Sequence, residues 1–184
     1  MVVIGNGSSP ESELRIDNVT SDKVRVYRRI TGGCSVVLTR DMVVCAFALY
    51  GMGLRDLIGY FSYFNAIVID ALASLGVRDL KHRGTSDIAS DNRKIAGTAL
   101  YRNKFITFYH AVVNVRGDVA LIDRYLTQPP RMPEYRESRR HREFVTSIEN
   151  LGFTFSNSEF ESAILKSWEN RVDLEAGTSR SVNQ

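Results

Sequence analysis

Cysteine is scarce: Cys34 and Cys45 are the two in 184 residues, which excludes a disulfide framework and favours a reducing compartment, with the cytoplasm as the expectation. No apolar run reads as long enough to span a bilayer, and the N-terminus lacks the charged-then-apolar order of a signal peptide. Internal repeats and low-complexity blocks are missing. No group of His, Cys, Asp and Glu has the ligand count of a dedicated metal site. No histidine lies near Cys34 in sequence, so a packed small residue is a better reading of it than a thiol nucleophile. The net charge of +3 is too mild to demand a polyanion, and neither nucleic acid nor a membrane is the expected partner.

What is present supports one core. With 43% hydrophobic residues the chain suffices for a single domain, expected over 1–172, with a disordered tail over 173–184. Met1 to Ile4 reads as a strand, Ser12 to Asp17 as a short helix, and Lys23 to Arg29 as a strand with Val24, Val26 and Arg28 on one face. Val36 to Leu49 reads as a hairpin or bulged strand pair around Thr39-Arg40-Asp41. Leu54, Leu57, Ile58, Phe61, Phe64, Val68, Leu72 and Leu75 recur at helical steps, and Gly76 stops them. Antiparallel strands follow near Leu80 to His82, Lys94 to Tyr101 and Phe105 to Val115, with a turn over 83–87. Asp118 caps a helix bearing Val119, Ile122, Tyr125 and Leu126, and Pro129, Pro130 and Pro133 make an extended connector. A basic run, Ser138 to Glu143, reads as a solvated face or a dock for an acidic partner or nucleic acid. Its head is a capping box from Ser138 to His141 without the usual Glu. A closing helix over Ser158 to Val172 points Phe160, Ile164, Leu165 and Trp168 inward.

Two stretches carry chemistry. Arg28 and Arg29 precede Gly32 and Gly33, a turn whose backbone N–H groups can approach an anion while guanidinium groups neutralise it. Arg93 and Lys94 stand before Gly97 between strands, and a lysine held there can meet a phosphate or a developing carbonyl charge. His110 closes an aromatic run and reads as a half-buried strand residue.

In order, Arg28-Arg29-x-x-Gly32-Gly33, an apolar pair of strands, a long helix, Gly84-Thr85-Ser86-Asp87, Arg93-Lys94-x-x-Gly97-x-Ala99, a strand ending in His110, and Pro-Glu-Tyr-Arg before a basic helix resemble the lipoate-protein ligase and octanoyltransferase family over about residues 1 to 155. The resemblance implies an α/β (α+β) fold like the biotin protein ligase and class II aminoacyl-tRNA synthetase core: a mixed, largely antiparallel sheet flanked by helices. It implies activation of lipoate or octanoate by ATP, with Mg²⁺ entering through ATP. The acyl group then passes to a lysine of a lipoyl-domain or glycine-cleavage H protein. On this likeness Lys94 contacts the reacting carbonyl and phosphate. Arg28, Arg29, Gly32, Gly33 and Cys34 line the acyl and adenylate site, Thr85 and Asp87 border the nucleotide, and Gly97 and His110 complete the set.

The chain departs from the family's pattern at Cys34, where a third glycine is frequent, at Val43-Val44-Cys45, where an Asn-centred pattern near the nucleotide is common, at Leu100, where a glutamine is common, and at Ala111, where a glycine often follows the histidine. No cysteine lies shortly before Arg93, where one branch of octanoyltransferases has its nucleophile, and the family's opening helix and first strands have no counterpart. Alternatives to a ligase are therefore an ATP-independent octanoyl or lipoyl transferase, a noncatalytic binding paralogue, or one subunit of a two-chain ligase. Biotin specificity is a further alternative.

Overall fold

A computed structural model describes residues 1–50 and 56–181, with side chains through Val172. Five strands form the main sheet, in the spatial order β4 (Met42–Tyr50), β8 (Ile106–Asn114), β7 (Arg93–Arg102), β6 (Asp87–Ser90) and β5 (Leu80–Arg83), all antiparallel. A smaller sheet has β1 (Val2–Ile4) between β2 (Val26–Arg28), its parallel neighbour, and β3 (Val36–Val37), its antiparallel one. Mixed, largely antiparallel sheets flanked by helices are the class the sequence implies.

One face of the main sheet is covered by helices. α3 (Leu57–Ser74) begins at Asp56, whose carboxylate accepts from the Gly59 amide at 2.5 Å, and α6 (Asn157–Ser181) packs along it. Between helices and sheet lies a stack of rings: Phe64 is 4.7 Å from Tyr109 and Phe47 is 5.0 Å from Trp168, centroid to centroid. Phe64, Ile67, Val68 and Leu72 are sealed from solvent, so this face carries most of the apolar burial. A second, smaller core under the short sheet gathers Val2, Ile4, Leu14, Val19, Val37 and Leu126, beneath α1 (Pro10–Glu13), α2 (Ile16–Ser21) and α4 (Val119–Tyr125). As the sequence predicts, Asp118 caps α4, accepting from the Ala120 amide at 2.7 Å.

Several expectations are corrected. Val36 to Leu49 is no hairpin: β3 pairs with β1 in one sheet and β4 with β8 in the other, so the 38–41 connection crosses between sheets. Ser12 to Asp17 straddles the break between α1 and α2, where Leu14 is extended and Arg15 lies outside both helices. Asp87, assigned to a turn, starts β6. Leu57 and Ile58 of α3 and Leu165 of α6 are exposed because the apolar stripe turns away from them; Leu54 lies outside the described residues. α3 is in fact long and apolar enough to cross a membrane, with mean hydropathy 1.4, and its apolar side is spent on the sheet. α6 starts one residue earlier than expected, because Ser156 and Glu159 form a capping box, Ser156 N to Glu159 at 2.7 Å and Glu159 N to Ser156 Oγ at 3.2 Å. It is drawn as far as Ser181. The basic run contributes only the short α5 (His141–Phe144), whose N-terminal partner is Glu143 on the Arg140 amide at 2.8 Å. Ser138, with φ of 59°, sits in the preceding turn.

Candidate functional site

The other face of the main sheet is built from small residues and charge. Strand register places Ala46 of β4, His110 of β8 and Ala99 of β7 in one row across it, and Val44, Val112, Gly97 and Asp87 in the next. Val44, Ala46 and Ala48 are exposed, although the strand that bears them is apolar throughout. Lys94 lies across the glycine of the second row: a Cβ on Gly97 would stand 3.0 Å from its Cε and Nζ. Its ammonium reaches Asp87 Oδ1 at 2.6 Å, and its side chain keeps 28% of its exposure. A bulge between Ile88 and Ala89 brings Lys94 to that side, and a bridge from Lys94 to Val145, with the Thr146 amide on the Lys94 carbonyl at 2.8 Å, fixes its backbone.

Asp87 is buried, and its second oxygen accepts from the Tyr135 hydroxyl at 2.9 Å. Burial first, then the neighbouring carboxylate charge, pushes the Tyr135 phenol well up, so it remains a donor. The loop between β2 and β3 closes on the small-residue face from the short sheet. Arg29 is spread over its backbone, Nη2 donating to the Gly32 carbonyl at 2.7 Å and the Cys34 carbonyl at 2.9 Å, and Nε to Thr31 Oγ1 at 2.9 Å. Gly33 takes a φ of 88°, which a side chain would strain. Thr31 then meets His110 Nε2 at 3.4 Å. Desolvation, followed by the Arg29 charge, brings the His110 pKa down to about 4, so the ring is neutral at pH 7.

Thus Arg29, Gly33, Cys34, His110, Gly97, Lys94 and Asp87 border one side of the sheet, linked by Thr31 and by the shared loop. Arg28 does something else: its Nη1 holds the carbonyls of Gly5, Asn6 and Ser8 at 2.8 to 2.9 Å, fastening the loop after β1. Gly32 is exposed, and Thr85 is an exposed turn residue whose carbonyl meets His82 Nε2 at 2.9 Å. The Cys34 thiol lies 3.8 Å from the Arg131 carbonyl. Burial, then Glu13, raises its pKa against the pull of Lys94 and Arg29, which keeps it a thiol. Thr31 and Tyr135 escaped the sequence reading as contact residues. Tyr135 falls within the Pro-Glu-Tyr-Arg stretch, but nothing local tells which partner either residue meets, since each meets it across more than forty residues.

A family profile for the lipoyl protein ligase A/B catalytic domain matches residues 1–169. The chain belongs to that family. Within the lipoyl ligase family it is 25% identical over 98% of its length to a lipoate-protein ligase A of Bdellovibrio bacteriovorus, and covers 54% of that protein. The chain spans about half the length of the curated relatives it matches. Among solved structures it resembles a chain from Thermoplasma acidophilum, described as a bipartite lipoate protein ligase with its E2 lipoyl domain, at TM-score 0.79 and 22% identity, covering 94% of this chain and 67% of that one. It resembles a lipoate-protein ligase A bound with ATP at TM-score 0.79 and 22% identity, covering 94% and 68%. The likeness of fold extends to the biotin protein ligase of Aquifex aeolicus, at TM-score 0.52, 15% identity, 72% of this chain and 53% of that one. Of the departures from the lipoyl ligase pattern, Ala111 and Leu100 fall on the helix-covered face, where Ala111 is sealed and Leu100 packs on the core, whereas Cys34 stands beside the site and Val44 is exposed in the row of Gly97 and Asp87.

Proposed function

We propose that this chain is the catalytic part of a lipoate-protein ligase. It would activate lipoate or octanoate with Mg²⁺-ATP to an acyl-adenylate and transfer the acyl group to a lysine of a lipoyl-domain or glycine-cleavage H protein. The observation that carries the reading is the Lys94–Asp87 pair, set over Gly97 beside the exposed Ala46 and Ala48 of β4 and a neutral histidine. The alanines suit an apolar acyl chain. The lysine suits its carboxylate, and then the mixed anhydride: attack on the anhydride gathers negative charge on the carbonyl oxygen, which a fixed ammonium stabilises without moving a proton. ATP supplies the leaving group. The protonated Cys34 thiol argues against a covalent acyl-enzyme and so against the ATP-independent transferase. The two free thiols are compatible with the cytoplasm as the place of action.

A two-chain ligase is the second reading, supported by the chain's half-length match to its curated relatives and by its likeness to a bipartite ligase. One experiment addresses both. A purified lipoyl-domain protein is incubated with this chain, Mg²⁺-ATP and lipoate, and its intact mass is measured, with an acyl-carrier-protein donor without ATP alongside. Mass gain only with ATP supports the ligase. Gain only with the carrier donor supports the transferase, and gain only after adding a second chain supports the bipartite reading. No gain under any of these conditions counts against all three.

A further inference from the structure

Tyr135 belongs to a single 3-10 turn, Glu134–Arg136, in the proline-bearing connector between α4 and α5, far in sequence from the residues it serves. Its hydroxyl takes one oxygen of Asp87 at 2.9 Å while Lys94 takes the other at 2.6 Å. A buried carboxylate held at both oxygens cannot rotate, so the ammonium bound to it is held as well.

The connector is built to keep the Tyr135 ring in place. The Arg83 guanidinium lies over it at 5.0 Å and Phe144 packs on it at 5.1 Å. Gly84 leaves the remaining room: a Cβ there would come within 3.2 Å of Pro133 and 3.6 Å of the ring. Beyond the ring, arginines stitch the chain. Arg136 Nε donates to the Arg139 carbonyl at 2.9 Å and Arg139 Nε returns to the Arg136 carbonyl at 3.0 Å. Arg139 Nη2 also ties the Tyr135 carbonyl at 2.7 Å and the Asn92 carbonyl, in the β6–β7 hairpin, at 2.9 Å. Glu137 and Ser138 both adopt left-handed backbone, with φ of 52° and 59°, a conformation that side chains avoid and that persists where surrounding bonds over-determine it.

We propose that Tyr135 is a positioning residue that locks the Asp87 carboxylate and, through it, the Lys94 ammonium of the acyl-transfer site. This rests on the role given to Lys94 in the proposed function. The group that touches substrate is Lys94; Tyr135 acts one carboxylate away.

The test is Tyr135→Phe, which keeps the ring and removes the hydroxyl. The first readout needs no substrate: proton exchange of the Lys94 ammonium by nitrogen-15 NMR, its resonance assigned by its loss in Lys94→Ala. Exchange should quicken about fivefold or more in Tyr135→Phe, the factor that one ordinary hydrogen bond carries. It should quicken at least as much in Asp87→Asn, and Tyr135→Phe should add nothing in that background. Unchanged exchange overturns the proposal, as does a wild-type Lys94 ammonium exchanging too fast to observe. The second readout is acyl transfer, where Tyr135→Phe should lower kcat about tenfold with KM for lipoate unchanged. Faster exchange with unaltered kcat in an active enzyme overturns the role in transfer. Should the wild type transfer nothing, the functional reading fails while the exchange comparison still decides what Tyr135 does to Lys94.

Discussion

The two faces of the five-stranded sheet are made by the same strands and have almost opposite chemistry. On the helix-covered face, Cys45, Phe47, Tyr109, Ala111 and Val113 join Phe64, Ile67, Val68 and Leu72 in a sealed core. The opposite face, one residue out of phase, has Ala46, Ala48, Gly97, Ala99 and His110, with Lys94 and Asp87 at one side. Because side chains alternate along a strand, one register serves both faces, and the aromatic stack that secures one side also fixes the geometry of the other. Stability and chemistry are thereby separable: large residues hold the sheet, and small ones leave room above it.

The comparison is broken most sharply at Lys94. If the open face does the chemistry through this ammonium, Lys94→Ala should reduce acyl transfer about a thousandfold, the scale for losing a fixed charge stabiliser, while the protein stays folded with a lowered thermal midpoint, since buried Asp87 loses its cation. Rates from acceptor intact mass, with a melting curve beside them, decide it. Transfer within a few-fold of wild type would remove Lys94 from the mechanism.

A paired substitution sharpens it next. Phe64→Ala opens a cavity in the ring stack and should cost about 4 kcal/mol in urea unfolding. Ala46→Leu, on the exposed row beside His110, should change stability by no more than about 0.5 kcal/mol, yet raise KM for lipoate about tenfold by filling the apolar row. Equal destabilisation by both variants would mean that the second face is also packed core.

His110 offers a third, smaller test. Its folded pKa of about 4 lies below the ordinary 6.5, so between these values the unfolded chain binds the extra proton. Stability should therefore be complete above about pH 6.5 and decline as pH falls towards 4. Since the ring is partly exposed, the loss should reach about 1 to 2 kcal/mol rather than the full value of the shift. His141 is depressed by its own burial with the same sign and is present in both proteins compared, so wild type minus His110→Gln isolates the effect. A difference that stays flat from pH 7 to 4.5 would mean the ring is solvated.

How far the sequence discloses this arrangement depends on the range of the contact. The helical repeat of Phe61, Phe64, Val68 and Leu72 and the strand runs that become β7 and β8 are local, and each reads out correctly to within a residue. Lys94 and Gly97 are legible for a related reason: three residues apart, one lies across the other. The crossing of Val36 to Leu49 between two sheets is not legible, because a hairpin and a crossover share one pattern of apolar runs. Nor is Tyr135 on Asp87, where a tyrosine in a proline-rich connector meets a carboxylate 48 residues away. Ser156 and Glu159 are the instructive omission, for their capping-box spacing is explicit in the sequence and marks the start of α6.

The basic run after the connector gives the smallest effect, because the fold has already used most of it. Arg139 is spent on backbone carbonyls, and Arg142 and His141 both hold Asp123, at 3.0 Å each, leaving Arg140 as its exposed arginine without a carboxylate ion pair among the described residues. If this edge docks an acidic acceptor, Arg140→Glu should weaken binding to a lipoyl-domain protein about threefold at low salt and by less at high salt, since an exposed charge acts through a screened field. Isothermal titration at two ionic strengths measures it. The same loss at both salts would point to a direct contact, and no loss at either would make the run a solvated edge whose arginines serve the fold alone.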